Sequence, residues 1–165
     1  MKNILILNGA SRKNGNTAEL IKSFINGAES AGNEVTEFYL QKMNIHGCLG
    51  CENCLKGECS QKDDMTEIYN AFDNADVVVF ASPIYFWTIT GPLKTTTDRL
   101  FAKLKSLGYG DFARESILIM TAGSTDYSQA QRWYETFERN LGWKNLGEIL
   151  GAGKTKQAEE LGRSI

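Results

Sequence analysis

The sequence predicts an α/β protein whose core is a parallel sheet of five strands with helices on both faces. Apolar runs of strand length alternate along the chain with stretches of helical period. The runs at 3–8 and 76–82 are continuous, as in strands that are covered on both faces. With 165 residues, of which 42% are hydrophobic and 23% charged, the chain fits a single soluble domain, 1–165.

Each predicted element rests on a local signal. In the first helix, Leu20, Phe24 and Ala28 recur at every fourth position, Asn16 is the predicted cap and Gly32 ends the helix. Pro92 suits the first turn of a helix. A polar, cysteine-rich loop, 41–62, follows the second strand. The predicted strands are 3–8, 34–40, 76–82, 116–122 and 143–150, and the predicted helices are 16–31, 63–74, 92–106, 127–141 and 156–161.

The charge pattern argues against nucleic-acid and membrane partners. The 18 Lys and Arg residues and the 20 Asp and Glu residues are mixed along the chain and leave a net charge of −2. The longest apolar run, 77–81, is far shorter than a membrane span. The first residues lead straight into a strand without the layout of a signal peptide, so we expect a cytoplasmic protein with reduced thiols.

The loop after the first strand predicts a phosphate site. It reads N-G-A-S-R-K-N-G-N-T (8–17) and joins a buried strand to a helix N-terminus, where free N–H groups attract anions. The hydroxyls of Ser11 and Thr17, the amide of Asn16 and the N–H groups of 12–17 could surround one phosphate. A Walker loop is excluded because Asn16 stands where its lysine belongs. A polar turn with a capping asparagine is the alternative.

The loop after the third strand predicts a site for a flat ring. Tyr85, Phe86 and Trp87 follow the strand at its carboxyl end, where ligands bind in sheets of this type. Aromatic side chains suit a planar, partly apolar ligand. The alternative is that they cover a neighbouring helix or a subunit interface.

Four segments in this order resemble the flavodoxin-like NAD(P)H-dependent FMN reductases, including their iron–sulfur flavoprotein branch. They are G-A-S-R-K-N-G-N-T-A-E-L at 9–20, G-C-L-G-C-E-N-C at 47–54, D-D-M at 63–65, and the stretch 75–99 around S-P-I-Y-F-W. The resemblance implies a flavodoxin-like three-layer sandwich with strand order 2-1-3-4-5, bound FMN and NAD(P)H as electron donor. It also implies a homodimer or homotetramer.

The resemblance assigns FMN-binding roles to residues in three loops. The first loop would bind the phosphate, the second would flank the ring and ribityl chain, and the third would close the other side. No catalytic side chain is implied, because the chemistry takes place on the flavin. The residues are Ser11, Arg12, Asn14, Asn16 and Thr17 in the first loop, Pro83, Ile84, Tyr85, Phe86 and Trp87 in the second, and Ala122, Gly123 and Ser124 in the third.

The cysteine loop has two interpretations. Cys48, Cys51, Cys54 and Cys59 have the spacing C-x₂-C-x₂-C-x₄-C, which lets one loop place thiolates around a single cluster. In the iron–sulfur flavoproteins this motif holds a [4Fe–4S] cluster. The alternative is a loop of reduced thiols near the flavin or a partner subunit. Zinc usually takes two more widely separated cysteine pairs.

Three functions follow from these interpretations. The first is an FMN-dependent NAD(P)H oxidoreductase that passes electrons to a small acceptor, such as free flavin, a quinone, a nitro compound or O₂. The second is an electron carrier that relays electrons between FMN, a [4Fe–4S] cluster and a ferredoxin-like partner. The third is a phosphate- or nucleotide-binding regulatory domain without redox activity.

Overall fold

The five strands form one parallel sheet. The computed structural model describes residues 1–165, and the order of the strands in its sheet is β2-β1-β3-β4-β5, with every neighbouring pair parallel. This confirms the predicted flavodoxin-like topology. The order reverses between β1 and β3, so the loops that follow these two strands flank the crevice where such folds bind ligands. The strands are β1 (Asn3–Asn8), β2 (Glu34–Tyr39), β3 (Val77–Pro83), β4 (Glu115–Thr121) and β5 (Lys144–Leu150).

Six α-helices and two 3₁₀ turns complete the chain. The 3₁₀ turns, Leu40–Lys42 and Asn53–Lys56, both lie in or beside the cysteine loop. No helix combines the length and the apolarity needed to cross a bilayer. The helices are α1 (Asn16–Ser30), α2 (Met65–Asn74), α3 (Gly91–Arg99), α4 (Phe101–Phe112), α5 (Ser128–Leu141) and α6 (Thr155–Arg163).

Two local predictions are wrong. The expected single helix 92–106 is two helices, α3 and α4, that meet at Leu100. The Leu100 N–H reaches the carbonyls of both Thr96 and Thr97, which tightens the last turn of α3. The expected cap, Asn16, is instead the first residue of α1. Gly15 occupies the cap position, and no side chain caps the helix. The first N–H groups of α1 therefore stay free.

The sheet has a hydrophobic core on each face. Alternate residues of β3 point to opposite faces, so Val78 and Phe80 pack under α2, α4 and α5, whereas Val77 and Val79 pack under α1 and α6. Phe80 lies at the centre of an aromatic cluster with edge-to-face and tilted contacts to Trp133, Tyr134, Phe137 and Trp143. Burial on both faces explains the continuous apolar runs of the central strands.

Helices α1 and α6 approach each other closely through two glycines. A Cβ at Gly27 would lie 2.0 Å from the Glu159 carbonyl oxygen, and one at Gly162 would lie 2.2 Å from that of Phe24. Only glycine permits this backbone contact. This contact holds α1 in place, and the N-terminus of α1 faces the crevice.

Candidate functional site at the carboxyl edge of the sheet

The loop between β1 and α1, residues 9–15, is fixed at its start by buried hydrogen bonds. Gly9 N–H donates to Ala81 O at 2.8 Å, and Thr90 Oγ1 donates to Gly9 O at 2.8 Å. A Cβ at Gly9 would lie 2.6 Å from Thr90 Oγ1 and 2.9 Å from Leu93 Cβ. This position therefore requires glycine, and the packing joins the β1–α1 loop to the segment that follows β3.

The next part of this loop presents a series of unused donors. The first N–H that donates to a backbone carbonyl is that of Glu19, which bonds to Gly15 O at 3.0 Å, so the N–H groups of 11–18 have no backbone acceptor. Arg12 and Lys13 are exposed and form no ion pair within the chain. Free N–H groups, the positive end of the α1 dipole and two cations together fit a phosphate.

Three hydroxyl contacts connect the β1–α1 loop and the start of α1 to their neighbours. Thr17 Oγ1 lies 2.7 Å from Thr121 Oγ1 in a buried hydrogen bond that joins the start of α1 to the end of β4. Ser11 Oγ contacts the Tyr85 hydroxyl. Tyr39, the last residue of β2, donates its hydroxyl to Ser11 O at 3.3 Å. Loops from four strands thus meet at this edge of the sheet.

The aromatic loop, residues 84–90, is fixed at both ends and exposed at its tip. Ile84 N–H donates to Thr121 O at 2.8 Å, and Thr90 N–H donates to Ser82 Oγ at 3.0 Å. Between them, Phe86 and Trp87 adopt the left-handed backbone region with φ of 46° and 67°, and their side chains are 89% and 60% exposed. Such strain at bulky residues is typical of ligand-binding segments.

A small pocket brings most of the predicted phosphate residues together with the aromatic loop. Asn14 does not line it, and Phe86 and Trp87 extend beyond it. Ala122, Gly123 and Ser124 follow β4 at the same edge but outside the pocket. No sequence pattern identified Tyr39 or Thr90 as contacts of the β1–α1 loop. The pocket is lined by Ala10, Ser11, Arg12, Gly15, Asn16, Thr17, Pro83, Tyr85 and Thr121.

A buried ion pair fixes the carboxyl end of the cysteine loop. Arg99, at the end of α3, donates to both carboxylate oxygens of Asp63, at 2.8 and 3.1 Å, and to His46 O at 2.8 Å. The side chains of Arg99 and Asp63 are 1% and 4% exposed. Burial raises the pKa of Asp63, but the hydrogen bonds from Arg99 and from the N–H groups of His46 and Met65 outweigh it and lower the pKa to about 2.

The four cysteines lie on the surface of this loop as free thiols. Cys48 and Cys51 are exposed, while Cys54 and Cys59 are half-buried. Arg99 Nη2 lies 3.5 Å from Cys59 Sγ, and a 3.5 Å contact with Ser60 Oγ lowers the pKa of the Cys51 thiol. Four thiols within twelve residues have the right donor chemistry for an iron–sulfur cluster. Their arrangement does not fit one, because no three His, Cys, Asp or Glu side chains are positioned to share a metal ion.

Known proteins resemble this chain at the level of sequence. Residues 2–148 match the sequence model of the NADPH-dependent FMN reductases. An iron–sulfur flavoprotein of Archaeoglobus fulgidus is 39% identical over 101 residues, which is 61% of this chain and 46% of that protein. A Bacillus subtilis protein provisionally named an NAD(P)H-dependent FMN-containing oxidoreductase is 25% identical over 91% of this chain and 84% of its own length. The chain spans about half the length of the iron–sulfur flavoproteins that it matches.

Solved structures share the fold. An NAD(P)H:quinone oxidoreductase from Methanothermobacter marburgensis superimposes with a TM-score of 0.79 at 19% identity, over 99% of this chain and 96% of that one. An azoreductase from Bacillus anthracis gives a TM-score of 0.75 at 18% identity over the full length of both chains. The sequence match confirms the predicted family, whose description agrees with FMN and NAD(P)H as cofactors. The chain belongs to the NADPH-dependent FMN reductase family.

Proposed function

We propose that the protein is an FMN-dependent NAD(P)H oxidoreductase that passes electrons from reduced nicotinamide through bound FMN to a small acceptor. The observation that carries this proposal is that the β1–α1 loop, whose N–H groups have no backbone acceptor, lines one pocket together with Pro83 and with Tyr85 of the aromatic loop. An anion cradle beside strained, exposed aromatics suits a ligand with a phosphate at one end and a flat ring at the other. Family membership supports the same ligand.

The phosphate would lie at the N-terminus of α1. Ser11 and Asn16 offer side-chain donors, Thr17 offers its backbone N–H, and the exposed Arg12 offers a charge that no carboxylate neutralises. Asn14 lies in the same loop but does not line the pocket, so it would contact the phosphate from outside the pocket. Charge-assisted bonds of this kind are about twice as strong as neutral ones.

The ring and ribityl chain would lie along the aromatic loop, 84–90, after Pro83. Bound FMN supplies the hydride-accepting and electron-releasing chemistry, so no acid or base is needed from the chain. Tyr85, Phe86 and Trp87 would shield the ring from water, while backbone groups of this loop meet its polar edge. Ala122, Gly123 and Ser124 would close the opposite side. The acceptor would be a free flavin, a quinone, a nitro compound or O₂.

An FMN titration of the purified, flavin-free protein tests this function. Quenching of flavin fluorescence should show one site per chain. Asn16→Asp adds a negative charge beside the phosphate and should weaken FMN binding by about tenfold or more. Asn26→Asp makes the same change on the exposed side of the same helix, away from the loop, and should bind as the wild type does. Absence of FMN binding by the wild type would refute the proposal.

The exposed aromatic tip suggests that the site is shared between copies of the chain. We propose a homodimer or homotetramer in which Phe86 and Trp87 reach the neighbouring subunit, because large apolar side chains are rarely this exposed without a partner. Light scattering should then give a multiple of 18.3 kDa, and Phe86→Ser should lower the mass. A monomeric wild type with bound FMN would contradict it.

Four free thiols also favour a reducing, cytoplasmic setting.

The second candidate function is an electron carrier with a [4Fe–4S] cluster and a ferredoxin-like partner. Cysteine spacing and the several relatives named iron–sulfur flavoprotein favour it, although the thiols do not converge in this structure. Anaerobic purification followed by iron and sulfide analysis should give about four of each per chain if it holds. Cys54→Ser should then abolish iron uptake, whereas Ser60→Ala should not. If the protein stays free of iron after reconstitution, the electron-carrier function is refuted and only the oxidoreductase function stands.

A further inference from the structure

Two residues of β2 support the β1–α1 loop from the side. Glu37 accepts a hydrogen bond from Asn8 Nδ2 at 2.6 Å, and Asn8 Oδ1 accepts one from Ala10 N–H at 2.8 Å. Two positions further along β2, Tyr39 donates its hydroxyl to Ser11 O at 3.3 Å. Residues 37 and 39 share a face of the strand because side chains alternate along it. This face of β2 therefore determines the course of the loop.

The bond to Ser11 O determines where the next N–H points. The carbonyl and the N–H of a planar trans peptide point in opposite directions. With its carbonyl held toward Tyr39, the Ser11–Arg12 peptide turns the Arg12 N–H away from Tyr39. Ser11 and Arg12 both line the pocket. The Arg12 N–H has no backbone acceptor in the chain.

We propose that Tyr39 is a positioning residue that aims the Arg12 N–H at the phosphate of a bound flavin nucleotide. The inference rests on the proposed function, because it assumes that FMN occupies this pocket. The one hydrogen bond that Tyr39 makes to this loop is to the backbone carbonyl of Ser11, and Tyr39 does not line the pocket. Loss of the Tyr39 hydroxyl frees the Ser11–Arg12 peptide to rotate and weakens only the binding of the phosphate. Tyr39 should therefore matter for FMN and not for riboflavin, which lacks the phosphate.

Titration of full-length Tyr39→Phe with FMN and with riboflavin tests this role. We expect the FMN dissociation constant to rise about five- to tenfold, as for the loss of one neutral hydrogen bond. The riboflavin constant should stay within about twofold of the wild-type value, as expected for contacts that are unchanged. Tyr109→Phe, on the exposed part of α4, is the matched control and should change neither constant.

The outcomes separate this inference from the proposed function. If Tyr39→Phe keeps the wild-type ratio of FMN to riboflavin affinity while the wild type binds FMN, the role of Tyr39 is refuted and the proposed function stands. If the wild type binds neither ligand, both are refuted.

Discussion

The loops that follow β1 and β2 are neighbours, yet they are held in different ways. The β1–α1 loop is fixed by buried hydrogen bonds to β3, β4 and the aromatic loop, and its unused donors face one pocket. The cysteine loop, 41–62, is mostly exposed and is held near its carboxyl end by the Arg99–Asp63 pair. The first loop is therefore preorganised for a ligand, whereas the second can rearrange around one without disturbing the sheet.

Removal of Arg99 should have the largest effect. Arg99→Ala leaves the buried Asp63 carboxylate without its charged partner and should lower the free energy of unfolding by about 3–5 kcal/mol. Arg163→Ala removes an arginine from an exposed pair with Glu159 and should cost less than about 1 kcal/mol. Urea denaturation of both variants measures this. Equal losses would mean that the cysteine loop does not depend on its buried pair.

The next largest effect should come from the tight packing of the first loop. Gly9→Ala places a methyl group against Thr90 and Leu93, and this overpacking should destabilise the fold by about 1–3 kcal/mol. Gly47→Ala, in the cysteine loop, meets nothing within 4 Å and should cost less than about 0.5 kcal/mol. Thermal melts of the two variants compare the loops directly. If Gly47→Ala lowers the melting temperature more than Gly9→Ala does, the comparison between the two loops is wrong.

Acid should weaken the anchor of the cysteine loop. The folded-state pKa of Asp63 is about 2 and its ordinary value is about 3.9, so the folded state favours the charged form. This shift contributes about 2–3 kcal/mol of stability at neutral pH, which is present above pH 4 and is lost as the pH falls toward 2. Asp63→Asn should flatten that part of the curve of unfolding free energy against pH. A curve that is equally steep in the variant would assign the acid sensitivity to other carboxylates.

The smallest effect should follow substitution of the exposed thiols. Cys48→Ser and Cys51→Ser, in metal-free protein, should each change the unfolding free energy by less than about 0.5 kcal/mol, because neither side chain is buried. Guanidinium denaturation under reducing conditions measures this. A loss of unfolding free energy above about 1 kcal/mol would show that the thiols themselves hold the cysteine loop in place, in addition to the Arg99–Asp63 pair.

The sequence pattern predicted the helices and strands more fully than the breaks and contacts between them. All five predicted strands end within one residue of the observed bounds. For the central strands the signal was a continuous apolar run, because strands buried on both faces leave few alternatives. The break at Leu100 was missed because it depends on which carbonyls one N–H reaches, and no proline or glycine marks it. That Arg99 would pair with Asp63, 36 positions earlier, depends on tertiary packing and not on local pattern.

The same limit applies to the site. The residues of the β1–α1 loop and of the aromatic loop could be identified because each lies directly after a strand, and strand ends meet at one edge. Tyr39 and Thr90 could not, since their roles depend on a hydroxyl reaching one particular carbonyl across the sheet. Whether the cysteines come together depends on loop conformation, which spacing alone does not determine.

Helix α3 starts next to Thr90, which bonds to the β1–α1 loop, and ends at Arg99, which holds the cysteine loop. Its nine residues act as a spacer of about 13 Å between the two regions. Inserting or deleting one residue would turn Arg99 about 100° around the helix axis and away from Asp63. Natural variants of this chain should therefore vary the residues on the outer surface of α3 freely while keeping its length constant.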